Sequence, residues 1–86
     1  MPELEILHAS SITNDVIVVV NDGKRKLNGT VPRELLDDEV GDDADMSKRK
    51  SWINTNSSEL ARAMVSKADG GITRKPFNRI IFQGEG

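Results

Sequence analysis

The stretch DVIVVVNDGK, residues 15–24, constrains the fold more than any other. Its run of β-branched residues reads as a strand. Asp22-Gly23 then carries the type I′ hairpin signal, because both residue types tolerate the positive φ such a turn needs. The return strand is KRKLNGTV, residues 24–31. A two-residue loop fixes the register. On one face Val20 is expected opposite Arg25, Val18 opposite Leu27 and Val16 opposite Gly29. On the other, Val19 meets Lys26 and Ile17 meets Asn28. The first face suits helices. The second sets Ile17 and Val19 beside a lysine, so either another element covers them or they lie open.

The remaining elements follow from periodicity and punctuation. ELEIL, residues 3–7, alternates and reads as a short strand with Leu4, Ile6 and His8 on one side. HASSITN is a turn or loop. Pro32 is expected as the first residue of a helix with the stripe Leu35, Leu36 and Val40, ending at Gly41. A second helical region covers 47–69, with Ile53, Leu60, Met64 and Ala68 inward and Ala61 and Ala63 beside them. Asn56-Ser57-Ser58-Glu59 has capping-box spacing and predicts a restart or kink there. Asp69-Gly70-Gly71 stops the helix, FNRIIFQ (77–83) is the closing strand, and 84–86 is expected as a flexible tail. The order β-β-β-α-α-β predicts a single α+β domain over 1–86. It has a small antiparallel sheet of three to four strands with two helices packed on one face.

Composition narrows the function classes. Eighty-six residues with 36% hydrophobic content support only a thin core, too small for a bulky cofactor, and no cofactor is expected. With no cysteine, a disulfide framework or a thiolate metal site is excluded. MPELEILHAS carries acids where a signal peptide needs base and an apolar core, and no apolar run reaches the ~18–20 residues of a membrane span. A cytoplasmic location is the expectation.

Charge is distributed unevenly. Residues 34–45 hold seven acids and no base, and the bases fall in three runs, Lys24-Arg25-Lys26, Lys48-Arg49-Lys50 and Arg74-Lys75. A calcium loop starting at Asp43 would put Lys48 at the glycine position and Asn54 at the bidentate glutamate, so no metal site is expected. Gly41 as a helix stop and Asp45 or Ser47 as the next cap explain the segment more simply. Trp52 beside Lys48-Arg49-Lys50 could stack on a base, but the chain has no tyrosine, and seven acids lie directly upstream. His8 is the only histidine. With Ser10, Ser11 and Asp15 it offers catalytic residue types by adjacency alone, and triads are made by geometry. No enzymatic activity is expected.

The strand pair, the helix VPRELLDDEVG, the long helix WINTNSSELARAMVSKADGG and the strand FNRIIF resemble domain-of-unknown-function family 1488, a group of short proteobacterial proteins. The resemblance spans about residues 14–83 and includes the apolar Ile53 a turn before Asn56. The chain departs from the family's pattern at Ser57, where arginine is usual, and at Ala68, where an aromatic is favoured. The resemblance implies a fold and no activity.

Together these features predict a protein–protein contact module, with self-association the first candidate. The expected contact residues are Ile17, Val19 and Lys26 on the sheet, with Asp42, Asp43, Asp45, Lys48, Arg49, Lys50 and Trp52 at the charge boundary. The alternative is a phage or mobile-element inhibitor docking on a host nucleic-acid machine through those charged segments. A third is a nucleic-acid-binding accessory protein. No membrane or small-molecule partner is expected.

Overall fold

The computed structural model describes residues 2–10 and 12–85. Ser11 and the terminal Gly86 of the expected tail lie outside the described residues. Three strands come first, β1 (Glu3–Ala9), β2 (Val16–Asn21) and β3 (Lys26–Val31). Three helices follow, α1 (Arg33–Val40), α2 (Met46–Thr55) and α3 (Ser57–Ala68), and then a single 3₁₀ turn at Phe77–Arg79 and the last strand, β4 (Ile81–Glu85). The sheet is antiparallel throughout, in the order β1-β2-β3-β4. This is the expected α+β arrangement and order of elements.

One face of the sheet makes the core. Val16, Val18 and Val20 of β2 and Leu27 and Val31 of β3 are fully buried against Leu35, Leu36, Ile53, Leu60 and Met64 of the helices. α3 touches all four strands. Gly29 lets it come close, because a Cβ there would stand 1.9 Å from Met64 Cε and 2.5 Å from the Ile81 carbonyl oxygen.

The hairpin departs from its expected register. Asn21 pairs with Lys26, Val20 with Leu27, Val19 with Asn28, Val18 with Gly29, Ile17 with Thr30 and Val16 with Val31. Residues 22–25 form the loop, closed by a backbone bond from Asp22 N–H to the Arg25 carbonyl. Only Gly23 of the expected turn pair has positive φ, so the turn is not type I′. The Asp22 carboxylate folds the loop, accepting from the backbone N–H of Lys24 (3.0 Å) and Arg25 (2.9 Å). The shift from the expected pairing is by two residues, an even number. Every strand residue that pairs therefore keeps its expected face although its partner changes, and Arg25, expected opposite Val20, falls in the loop.

Other boundaries also moved. Pro32 sits just before α1 rather than in its first turn, and the Asp15 carboxylate accepts from Arg33 N–H at 2.7 Å. The long helical region breaks at Asn56 (φ −107, ψ 19), but no capping box forms there. The Asn56 side-chain amide instead donates back to the Trp52 carbonyl at 2.9 Å. Residues 77–79 are a 3₁₀ turn rather than strand, and β4 extends through Gly84 and Glu85, which were expected as tail. A bulge at Leu7 turns His8 away from the Leu4 and Ile6 face, so that His8 lies opposite Ile17.

Candidate functional site

The open face of the sheet is built by alternation. Val16, Val18 and Val20 point to the helices, so Ile17 and Val19 point away from them. Glu5 pairs with Val19 and His8 with Ile17 on β1, while Asn28 and Thr30 face the same two residues from β3. Ile81 joins from β4 opposite Thr30. Ile17 and Val19 are half-buried by these neighbours, while Ile81 is 46% exposed and Leu7, in the β1 bulge, 56%. Thr30 is the buried polar residue of this face, its hydroxyl donating to Gln83 Oε1 at 2.9 Å. Glu3, Glu5 and Lys26 are exposed around a depression of about 340 Å³ that Val19 and Asn21 also line.

The second group of expected contact residues divides. Asp45 caps α2, accepting from Lys48 N–H at 2.9 Å. Asp42 and Asp43 are exposed, as are Lys48 and Lys50. Arg49 does not belong with them. It is only 1% exposed, and its guanidinium donates to Asp37 Oδ1 (2.7 Å), the Ala44 carbonyl (3.1 Å) and the Asp42 carbonyl (3.4 Å). It thereby ties α1, the connection and α2 together. The Arg49 guanidinium holds the Asp37 carboxyl below the usual carboxylate range, against the opposing effect of burial. The basic triplet is two surface lysines flanking an internal strut. Helical geometry explains this, because Arg49 and Ile53 stand one turn apart on the buried side of α2.

Trp52 lies half-buried at the edge of the helical layer. Its ring stacks on Phe77, centroids 6.1 Å apart and planes 23° from parallel. Beside it is a shallow depression of about 390 Å³ lined by Val40, Lys48, Ser51 and Thr55.

Two of the residues that suggested catalysis, Ser10 and Asp15, have structural partners. Ser10 Oγ accepts from Ile12 and Thr13 N–H, and Asp15 caps α1. Among the described residues, no three His, Cys, Asp or Glu side chains are placed to hold a metal ion. No helix among them is long and apolar enough to cross a membrane.

A cluster that the sequence reading missed is centred on Arg25. Its guanidinium donates to Asp22 (2.8 Å), Asp69 (2.6 Å) and Glu85 (3.1 Å). This joins the hairpin loop, the end of α3 and the end of β4. The Arg25 hydrogen bond, with the Lys24 N–H second, lowers the Asp22 pKa from 3.8 to about 2. Arg25 thus leaves the first basic run as a tie, with Lys26 exposed on the open face. The only advance signal was the Asp-Gly-Lys-Arg order itself, since Asp69 and Glu85 are remote in sequence.

No protein-family model, no curated protein and no solved structure matches the chain.

Proposed function

We propose that this protein is a non-enzymatic contact module that binds another protein surface through the open face of its sheet. The observation that carries this reading is the group Ile17, Val19 and Ile81, apolar side chains on a face that no helix among the described residues covers. Ile17 and Val19 are neighbours on β2 and Ile81 lies beyond Thr30, and apolar residues rimmed by polar ones mark contact surfaces. A photo-reactive amino acid placed at position 19 should form protein adducts in cells, and one at Arg62 on the exposed side of α3 should not. Ile17→Lys with Val19→Lys should abolish the adducts of a probe at position 81 while the circular dichroism spectrum is retained. Equal adducts from positions 19 and 62, or none from either, would sink the reading.

A second reading draws on the Trp52 depression and the exposed Asp42, Asp43, Lys48 and Lys50 around the α2 start. In it the helical layer docks on a nucleic-acid-handling protein as an inhibitor. Replacing Asp42 and Asp43 by Asn, and separately Trp52 by Ala, should then abolish inhibition, and unchanged inhibition would remove it.

A further inference from the structure

The reading of the open face does not say what covers it, but the order of charges across the strands does. Strand pairing sets Glu3, Asn21 and Lys26 in one row across β1, β2 and β3, and Glu5, Val19 and Asn28 in the next. The following row is His8, Ile17 and Thr30. Glu3 and Lys26 are two strands apart, about 9–10 Å between backbones, with Asn21 between them. Among the described residues neither they nor Glu5 form a salt bridge. The first row therefore runs acid to base about β2 as its centre and the second acid to amide, with the charges of Glu3, Glu5 and Lys26 unspent.

A half-turn about an axis lying above β2 and parallel to it exchanges the places of β1 and β3 and leaves each row at its own level. It sets Glu3 of one copy over Lys26 of the other, twice. It sets Glu5 over Asn28, whose amide can donate to a carboxylate, also twice. Ile17 and Val19 then meet their own counterparts on the axis. The same operation carries Ile81 of the second copy past β1 to the level of the Leu7 bulge, so the two exposed large apolar residues of the sheet reach the same flank. A surface that becomes its own complement under a two-fold rotation meets the requirement of an isologous interface.

We infer that the open sheet face is covered by a second copy of this chain, related by a two-fold axis along β2 and fixed in register by paired Glu3–Lys26 contacts. The inference rests on the contact-module reading and names its partner. Three overlapping short strands make a small interface, below the roughly 1,200 Å² of a standard complex. The dimer accordingly forms at high micromolar concentration rather than nanomolar.

The test is charge exchange, read by sedimentation equilibrium of the full chain from about 10 µM to 1 mM, a range suited to weak interfaces. Wild type should shift from monomer to dimer mass across that range, less so at high salt. Glu3→Lys and Lys26→Glu each create two repulsive contacts and should each weaken association about tenfold. An equimolar mixture of the two variants should recover association, because each copy then meets its opposite charge, and so should Glu3→Lys combined with Lys26→Glu in one chain. Should either reversal fail to fold, Glu3→Gln and Lys26→Gln give the same comparison as a weaker loss. A dimer indifferent to these exchanges, or no recovery on mixing, overturns the proposed register. A wild type that stays monomeric overturns the second copy as occupant. The contact-module reading would survive that result if adducts at position 19 still form with a different chain, and would fail with it if they do not.

Discussion

At the scale of single residues, two positions matter beyond their side-chain chemistry. Arg49 lies in a basic triplet yet is buried and bonded to Asp37 and two carbonyls. Replacing it with Met removes those bonds and leaves the Asp37 carboxylate without its best partner. Arg49→Met should cost about 2–3 kcal/mol in urea unfolding, whereas Lys48→Ala and Lys50→Ala should each stay within about 0.5 kcal/mol. Gly29 is the second position. Met64 Cε and the Ile81 carbonyl both crowd the position a Cβ would take there. Gly29→Ala should destabilise by about 1–3 kcal/mol through overpacking. Adding Met64→Leu should recover only part of the loss, because a methionine tip can move and a strand carbonyl cannot do so without β4. Equal stability of Gly29→Ala and wild type would refute the close approach.

At the scale of elements, two carboxylates shape the structure from outside helices and ladders. Asp22 folds the hairpin loop and binds Arg25. Its pKa in the folded chain, about 2, lies below the ordinary 3.8. It therefore contributes stability that is fully present above 3.8 and is lost as pH falls through about 2. Thermal unfolding followed from pH 6 to pH 2 should show Asp22→Asn losing stability at pH 6 and converging on wild type at the acid end. Asp15 acts on α1, satisfying the Arg33 N–H at 2.7 Å from a loop eighteen residues earlier. Asp15→Ala should lower stability by about 1 kcal/mol and Asp15→Asn by less, since an amide oxygen still accepts. Urea midpoints of the two variants distinguish capping from a purely electrostatic effect.

At the scale of the whole molecule, the fold is two layers, closed on one side and open on the other. Its radius of gyration is 11.9 Å, matching the ~12 Å expected of a folded chain of this length. The ends are tied by Arg25, which binds carboxylates from the hairpin loop, α3 and β4. Packing a second copy on the open face would couple association to folding. The apparent melting temperature should then rise with protein concentration for wild type and stay flat for the Ile17→Lys, Val19→Lys pair. Scanning calorimetry at low and high concentration checks this directly.

The order of elements and the facing of the strand residues before the β1 bulge and in β2 and β3 were readable in the chain, because both come from periods of a few residues and from local punctuation. Gly41 and the Gly70 region end helices by their own backbone freedom, with φ of 101 and 78. Asp45 caps α2 from the position next to it. The inward facing of Val16, Val18 and Val20 survived a wrong register because a slip of two leaves the period of two intact. Which partners those residues meet was decided only in three dimensions. The hairpin opened to four residues because Asp22 found the Lys24 and Arg25 amides and Arg25 found Asp69 and Glu85 across the molecule. Arg49 turned inward because Asp37 and two carbonyls awaited it, and His8 turned outward because Leu7 bulged. Local pattern determines the direction of a side chain. Competition among distant donors and acceptors determines its partner, and no short stretch of this sequence contains both sides of that competition.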